Sequence, residues 1–524
     1  MPGPSTPDIS PPRDQPAEPQ PRATRDSRTR VARLKFWTAA TTGMLRSPIA
    51  AAVELGLCGI ALEFALVRGW LAAFSLTGHP GFPPVGQDPL VWMLDDGDTG
   101  MVRFLILLAA VFVPYLLGLA MAQRALGRLG LGVALAVAVM SGATMLAAFP
   151  AGALDIFHNI MDGRLVWLYH LNPVVVAPSA VSNDPLFPYL HYWWNTTTAY
   201  GPLWFLVTLP AYLVAGDGLI RNIVAYKALP FVFELASLVF IVLIVRRIDP
   251  RRVTAAVVCF GWNPLVIWEI AGNGHNDVVM MAFALAAVFL LLTARWPFAF
   301  PVLACSVLVK FVSIVLLPIF ILWILLHHGR RALVPLILGM LGAVLISFAI
   351  LFHFWAGETT VAPLRAQQNY FVYSPASALI GSWGEDLSNT PKVTAVKHGL
   401  TIAFLILYAV VLARLRGSPV ALVQASVAAM FLLLVLMTWW FWPWYVVWGL
   451  ALAALLPSSS YARLFVLFSM TAMLVYLSWP WKLQLWSFAS PLPMPLGNTL
   501  MVFLPPLLYA AMQLIGSGES ATRL

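Results

Sequence analysis

Apolar residues run along this chain in long blocks, and polar residues gather between the blocks. A helix that crosses a bilayer needs about 20 consecutive apolar residues, with a range of roughly 17–25. Candidate spans are 48–68, 101–121, 130–150, 222–245, 253–270, 276–294, 297–309, 311–327, 332–355, 399–415, 419–439, 443–457, 461–479 and 498–515. The pattern therefore predicts an all-α polytopic membrane protein of about 14 transmembrane helices. The pair 297–309 and 311–327 reads as two helices meeting near Lys310.

The block 201–216 is marginal in length and carries Pro202 and Pro210. Both features suit an interfacial or re-entrant helix packed against protein. If it does not span, the basic junctions fall on one side: Arg124/Arg128, Arg246/Arg247/Arg251/Arg252, Arg295, Arg330/Arg331, Arg414/Arg416 and Arg463. Membrane topology puts such clusters in the cytoplasm. Both termini are then expected inside. The long loops 69–100, 151–221 and 356–398, with short interfacial helices, are expected outside, where elaborated loops suggest the chemistry.

Composition agrees and excludes other classes. Hydrophobic residues make up 60% of the 524 positions and charged residues 10%. That is too little charge for a water-facing surface. The net charge of +9 does not indicate nucleic acid, because the basic residues sit at the ends of apolar blocks. Cys58, Cys259 and Cys305 lie inside apolar blocks and read as free thiols, with no disulfide framework or zinc site. Residues 1–47 are rich in proline and arginine and are expected to be a disordered cytoplasmic tail without a cleavable signal. The membrane domain is expected over 48–515, and 516–524 as a short cytoplasmic tail.

The few remaining polar residues are the candidates for chemistry. Asp155 follows directly on an apolar block, and Asp162 shares its face if 154–169 is helical. A carboxylate at a lipid–water boundary can act as a general base because partial desolvation raises its proton affinity. It can equally be a helix cap. Asn273, His275, Asn276 and Asp277 fill an outer turn with donors and acceptors, although Asn276 or Asp277 would also cap the next helix. One histidine with one aspartate is not a metal ligand set. Lys310 lies within an apolar run, which is costly unless it faces a cavity or an anion such as a lipid phosphate, or snorkels to the interface. Arg365, with Gln367, Gln368 and Tyr370, forms an outer-loop cluster, and arginine's planar fork suits a phosphate. The run TWWFWPWYVVW at 438–448 is either an interface belt or an aromatic platform for sugar rings or a polyprenyl chain.

The order of these features is an aspartate after an early helix, then DGRL, NPVVVAPS, YGPLW, NPL, GNGHND, a lysine between paired helices, and FWPWY. Over roughly 130–450 this resembles the polyprenol-phosphate-mannose-dependent mannosyltransferases of the GT-C superfamily, the group that includes bacterial α-(1→6)-mannosyltransferases. The resemblance implies a GT-C-like helix bundle that moves a hexose, mannose above all, from a polyprenyl monophosphate to a glycan or glycolipid acceptor. It implies no cofactor and no metal, with lipid bilayer, donor and acceptor as the partners. It implies inversion, with Asp155 as general base. Asp162, Arg164, Tyr200, Asn273, His275, Asn276, Asp277, Lys310, Arg365, Gln368, Tyr370, Trp442, Trp444 and Tyr445 are then the expected substrate contacts. A transporter or flippase for a lipid-linked saccharide is the rival, since it too would be polytopic and use membrane lysines and aromatic grooves. Inverted repeats and helices broken near the midplane would mark it.

Overall fold

The computed structural model describes residues 3, 47–78, 82–83, 88–95, 97–370, 372–382, 390–478 and 494–521. Among these residues the fold is helical, with two isolated β-bridges, Ser75–Ala148 and Val372–Trp440. Among the described residues nine helices are long and apolar enough to cross a membrane, or ten if one bent pair counts as a single span. The basic N-terminal tail lies almost wholly outside the described residues, as do Trp481 and Trp486. The C-terminal tail expected from 516 is helical as far as Ala521, in the helix Met494–Ala521.

Helices α1 (Pro48–Leu71), α2 (Asp98–Ala122) and α3 (Gly127–Met145) pack together at one flank. After the short helix α4 (Asp155–Trp167) and the apolar helix α5 (Pro202–Ala215), α6 (Leu219–Ile248) runs 30 residues through the core. The next expected span, 253–270, is instead two helices, α7 (Pro250–Gly261) and α8 (Pro264–Gly272), bent by 46°. Asn263-Pro264 causes the break. Proline has no N–H to continue the ladder, and it pushes the residue before it out of helical geometry. The Asn263 side chain accepts from Leu265 N–H and donates to Tyr115 and Ser469, so the bend is built into the core. Nearly every residue from Val253 to Met281 is buried.

Three further expected spans, 276–294, 297–309 and 443–457, are apolar helices shorter than 18 residues: α9 (Asp277–Leu292), α10 (Trp296–Val309) and α16 (Pro443–Ala453). Their polar ends meet at the site described below. Between α10 and α16 lie α11 (Leu316–His328), α12 (Leu333–Leu351), the short α13 (Ala362–Gln367), α14 (Pro391–Ala413) and α15 (Pro419–Met437). The helical run 311–351 is 41 residues long. At 1.5 Å per residue it would measure about 60 Å, twice a hydrocarbon core. It breaks at Gly329, whose φ is +58°, into the two helices expected there.

The periphery is apolar. Val344, Leu345 and Phe348 on α12 are each more than 60% exposed, and Ile402, Leu405 and Ile406 on α14 more than 55%. A soluble bundle turns such faces inward; lipid is the solvent that suits them. Helix α17 (Ser460–Ser478) and the last helix, α18, close the bundle. Arg252, Gln123 and Ser458 join in hydrogen bonds at one end of the bundle. Helix α6 has Arg246 and Arg247 at that end and Lys227 near the other.

Candidate active site

Asp155 is the first residue of α4, reached through Gly152, whose N–H donates to Asn273 Oδ1 at 3.1 Å. A side chain at Gly152 would collide with Asn273 and Trp268. The strand of chain before the aspartate is thus sutured to the 273–277 turn. Burial raises the Asp155 carboxyl above its ordinary range, while the charges of His158 and Lys310 pull it back and Asp277 adds to the rise. Tyr200 donates a hydrogen bond to it. Burial, with the nearby carboxylates, holds the Tyr200 phenol well above its usual range, so it stays a donor.

Lys310 sits where α10 ends, in extended backbone, with Nζ 2.7 Å from Asp277 Oδ1. The ammonium also lies over the rings of Tyr445 (4.6 Å), Trp448 (5.4 Å) and Tyr200 (5.6 Å). Trp448 Nε1 donates to the same Asp277 oxygen. The position of the lysine is fixed by a close approach. Gly201 N–H donates to Val309 carbonyl at 3.0 Å, and any Cβ at 201 would lie 2.0 Å from the Leu308 carbonyl oxygen. The YGP turn and the end of α10 therefore lock together only with glycine there.

The 273–277 turn needs glycine too. Gly274 has φ +81°, and a Cβ would meet Ile156 and Lys227. His275 stacks on Trp444 with centroids 3.8 Å apart and planes at 18°. Burial and Lys310 hold its imidazole well below the usual range, hence neutral. Beneath the turn, Glu269 accepts from Asn273 Nδ2 (2.9 Å) and Tyr476 OH (2.8 Å). Several buried polar atoms here have no hydrogen-bond partner among the described residues: both Asn276 amide atoms, Asp277 Oδ2 and His275 Nε2. Buried polar groups are almost always paired, so a cluster of unfilled ones marks a place for a ligand.

The structure thus brings Asp155, Tyr200, His275, Asn276, Asp277, Lys310 and Tyr445 together, with Asn273 supporting the turn and Trp442 stacked on Trp444 at 5.2 Å. Asp162 lies one turn beyond His158, its Oδ2 3.3 Å from the imidazole. Burial works against a charge on His158, yet Asp162 outweighs it and raises the imidazole above its ordinary value. The remaining expected contacts are placed differently. Arg164 is buried and occupied by Asp184 (2.6 Å), Asp217 (2.8 Å) and the Gly216 carbonyl. It ties the outer loop to α4. Arg365 and Gln368 are exposed on and just after α13, while Tyr370 packs against Trp193 and Trp440. The two outer loops do converge: Asn172 Nδ2 donates to Phe354 carbonyl, and a crevice beside Tyr200 and Phe311 is lined by Thr198, Phe354, Thr360 and Leu364.

Sequence reasoning passed over Glu269, Lys227 and Glu234. All three are wholly buried. Lys227 donates to the carbonyls of Met145 (2.7 Å), Leu146 (3.0 Å) and Ala148, capping the end of α3 just before the Asp155 segment. The available signal was an ionisable residue in an apolar helix, the same one that singled out Lys310.

Alpha-(1->6)-mannopyranosyltransferase A of Mycobacterium tuberculosis is 27% identical over 329 residues, 62% of this chain and 60% of that protein. Its namesake of Corynebacterium glutamicum is 27% identical over 181 residues, 34% of this chain and 36% of that protein. The chain therefore matches less than two thirds of either relative's length. A model of the alpha-(1->6)-mannopyranosyltransferase family, N-terminal domain, matches residues 53–327, more than half of the sequence, with Asp155, the 273–277 turn and Lys310 all inside it. The chain belongs to the alpha-(1->6)-mannopyranosyltransferase family.

Proposed function

We propose that this protein is an integral-membrane mannosyltransferase that takes mannose from a polyprenyl monophosphate and passes it to a hydroxyl of a glycan or glycolipid at the extracytoplasmic face. The proximity of Asp155 and Lys310, close enough for the lysine's charge to act on the carboxyl, carries the proposal: a base and a cation stand together where a sugar donor's two reacting ends would be. Family membership supports mannose as the sugar. The distance of the pocket from the arginine-rich end of the bundle supports the outer face.

Asp155 takes the acceptor's proton as the acceptor oxygen attacks the anomeric carbon. The bond to the polyprenyl phosphate breaks on the opposite side, and its electrons leave with the phosphate, so configuration inverts. A departing phosphate needs charge stabilisation more than a proton, and Lys310 supplies it. Asp277 holds the lysine in place until the phosphate shares it. Asn276 and His275 offer unfilled hydrogen-bonding atoms to the sugar. Asn273 and Glu269 hold the turn that presents them.

The test is transfer of mannose from a polyprenyl-phosphate donor to a mannoside acceptor by the purified protein in detergent, where a flippase has no second leaflet to act across. The wild type is expected to form product. Asp155→Asn is expected to fold and bind donor but lose about 10²–10⁴-fold in rate. Near-wild-type transfer by that variant would remove Asp155 from the mechanism, and no transfer by the wild type would remove the activity.

A further inference from the structure

From His275 a chain of aromatic rings leads away from the reaction centre. Trp444 stacks on His275 at 3.8 Å, Trp442 on Trp444 at 5.2 Å with planes at 4°, and Trp440 follows at 5.9 Å. Trp440 meets Tyr370 at 4.9 Å and Trp193 at 5.9 Å. Trp193 belongs to the first outer loop, Tyr370 to the second and Trp440 to the segment before α16, so three separate stretches contribute. Trp444 is buried, whereas Trp442, Trp440, Tyr370 and Trp193 are each half-buried. Trp193 is held at φ +66°, a conformation that bulky side chains seldom adopt. The backbone fixes Trp440 as well: Val372 N–H donates to the Trp439 carbonyl and Phe441 N–H to the Val372 carbonyl.

Tyr373 packs edge-on against Trp442 at 5.6 Å. Aromatic faces with a polar handle beside them suit hexose rings, which present C–H on one face and hydroxyls at the rim. A polyprenyl chain needs no such rim, and the crevice at Tyr200 and Phe311 lies beside the Lys310 end of the site.

We infer that Trp442, Trp440, Tyr370 and Trp193 form a binding rail for the sugars of an oligosaccharide acceptor behind the one that reacts. This rests on the transferase reading above. It predicts an enzyme that measures its acceptor: a long mannose oligosaccharide is used about tenfold better than a single-mannose glycoside, the factor that roughly 1.4 kcal/mol of stacking supplies. Trp440→Ala is expected to abolish that preference, and Trp440→Phe, which keeps a ring, to restore most of it. A binding titration is independent of turnover. In Asp155→Asn protein, a long mannose oligosaccharide should shift tryptophan fluorescence, and the shift should shrink with Trp440→Ala. Equal use of both acceptors by an active wild type would overturn the rail and leave the transferase standing. Oligosaccharide binding without transfer by the wild type would do the reverse. A fluorescence response to polyprenyl phosphate and none to oligosaccharide would also overturn the rail, assigning the rings to the donor lipid.

Discussion

A buried cation and a half-buried one near the same end of the bundle are treated in opposite ways. Arg164 has Asp184, Asp217 and a carbonyl around its guanidinium, and Asp184 in turn accepts from Tyr169 and from Leu186 N–H. Nothing polar is left over. Lys310 has one carboxylate oxygen and three ring faces, and around it Asp277 Oδ2 and the Asn276 amide have no hydrogen-bond partner among the described residues, while His275 Nε2 has only the Glu269 carboxylate at 3.5 Å. A filled network specifies structure. A network with capacity left over suits something that arrives later.

The comparison breaks first at Arg164. Removing one partner of a buried pair strands the other charge and costs about 3–5 kcal/mol. Asp217 is 72% exposed and adds little to that figure, so the loss is centred on Asp184. Arg164→Met is expected to lower the melting temperature in detergent strongly and to lower yield. A variant that melts like the wild type but fails to transfer sugar would move Arg164 back among the substrate contacts.

Lys310→Met tests the other half, with a smaller effect on a different observable. Loss of one preorganised donor to a developing oxyanion typically costs about 10²–10³ in rate. The same change leaves the Asp277 oxygen its bond from Trp448, and Lys310 is less buried than Arg164. We therefore expect a smaller drop in melting temperature than at Arg164, with slow turnover and weakened competition by polyprenyl phosphate. A collapse in stability with unchanged turnover of the surviving protein would make Lys310 a second Arg164.

How far the sequence could anticipate this difference depends on where partners lie. Asp155, Lys310 and the 273–277 turn stood out because a polar residue in an apolar chain is costly wherever it sits. Whether they gather at one place could not be read from the order of motifs. Nor could satisfaction be seen. Arg164 looked like a substrate contact because its partners lie 20 and 53 residues downstream in loops without any periodicity. Lys227 and Glu269 went unnoticed because each sits inside a helix, and the carbonyls that Lys227 caps are about eighty residues upstream. Arg365 suited a phosphate by chemistry, yet α13 holds it at the surface. The helices themselves were legible from hydropathy. Their lengths near the site were not, since the chain stops α9, α10 and α16 short where polar ends must meet.

The smallest effect concerns the base. Burial lifts the Asp155 carboxyl, so the acidic limb of kcat/KM should lie above the roughly 3.9 of a free aspartate. The sign follows from the role. A general base works deprotonated, so activity is lost as pH falls through the raised value and is retained above it. Tyr200 opposes the lift by donating to the carboxylate, and Lys310 opposes it by charge. Tyr200→Phe should therefore move the acidic limb to higher pH while the melting temperature stays put, because Gly201 and not the phenol locks that turn. Arg164→Met protein that survives purification should leave the limb where it is. A limb that ignores Tyr200, or that shifts to lower pH when the phenol is removed, would mean that the group titrating in catalysis is not Asp155.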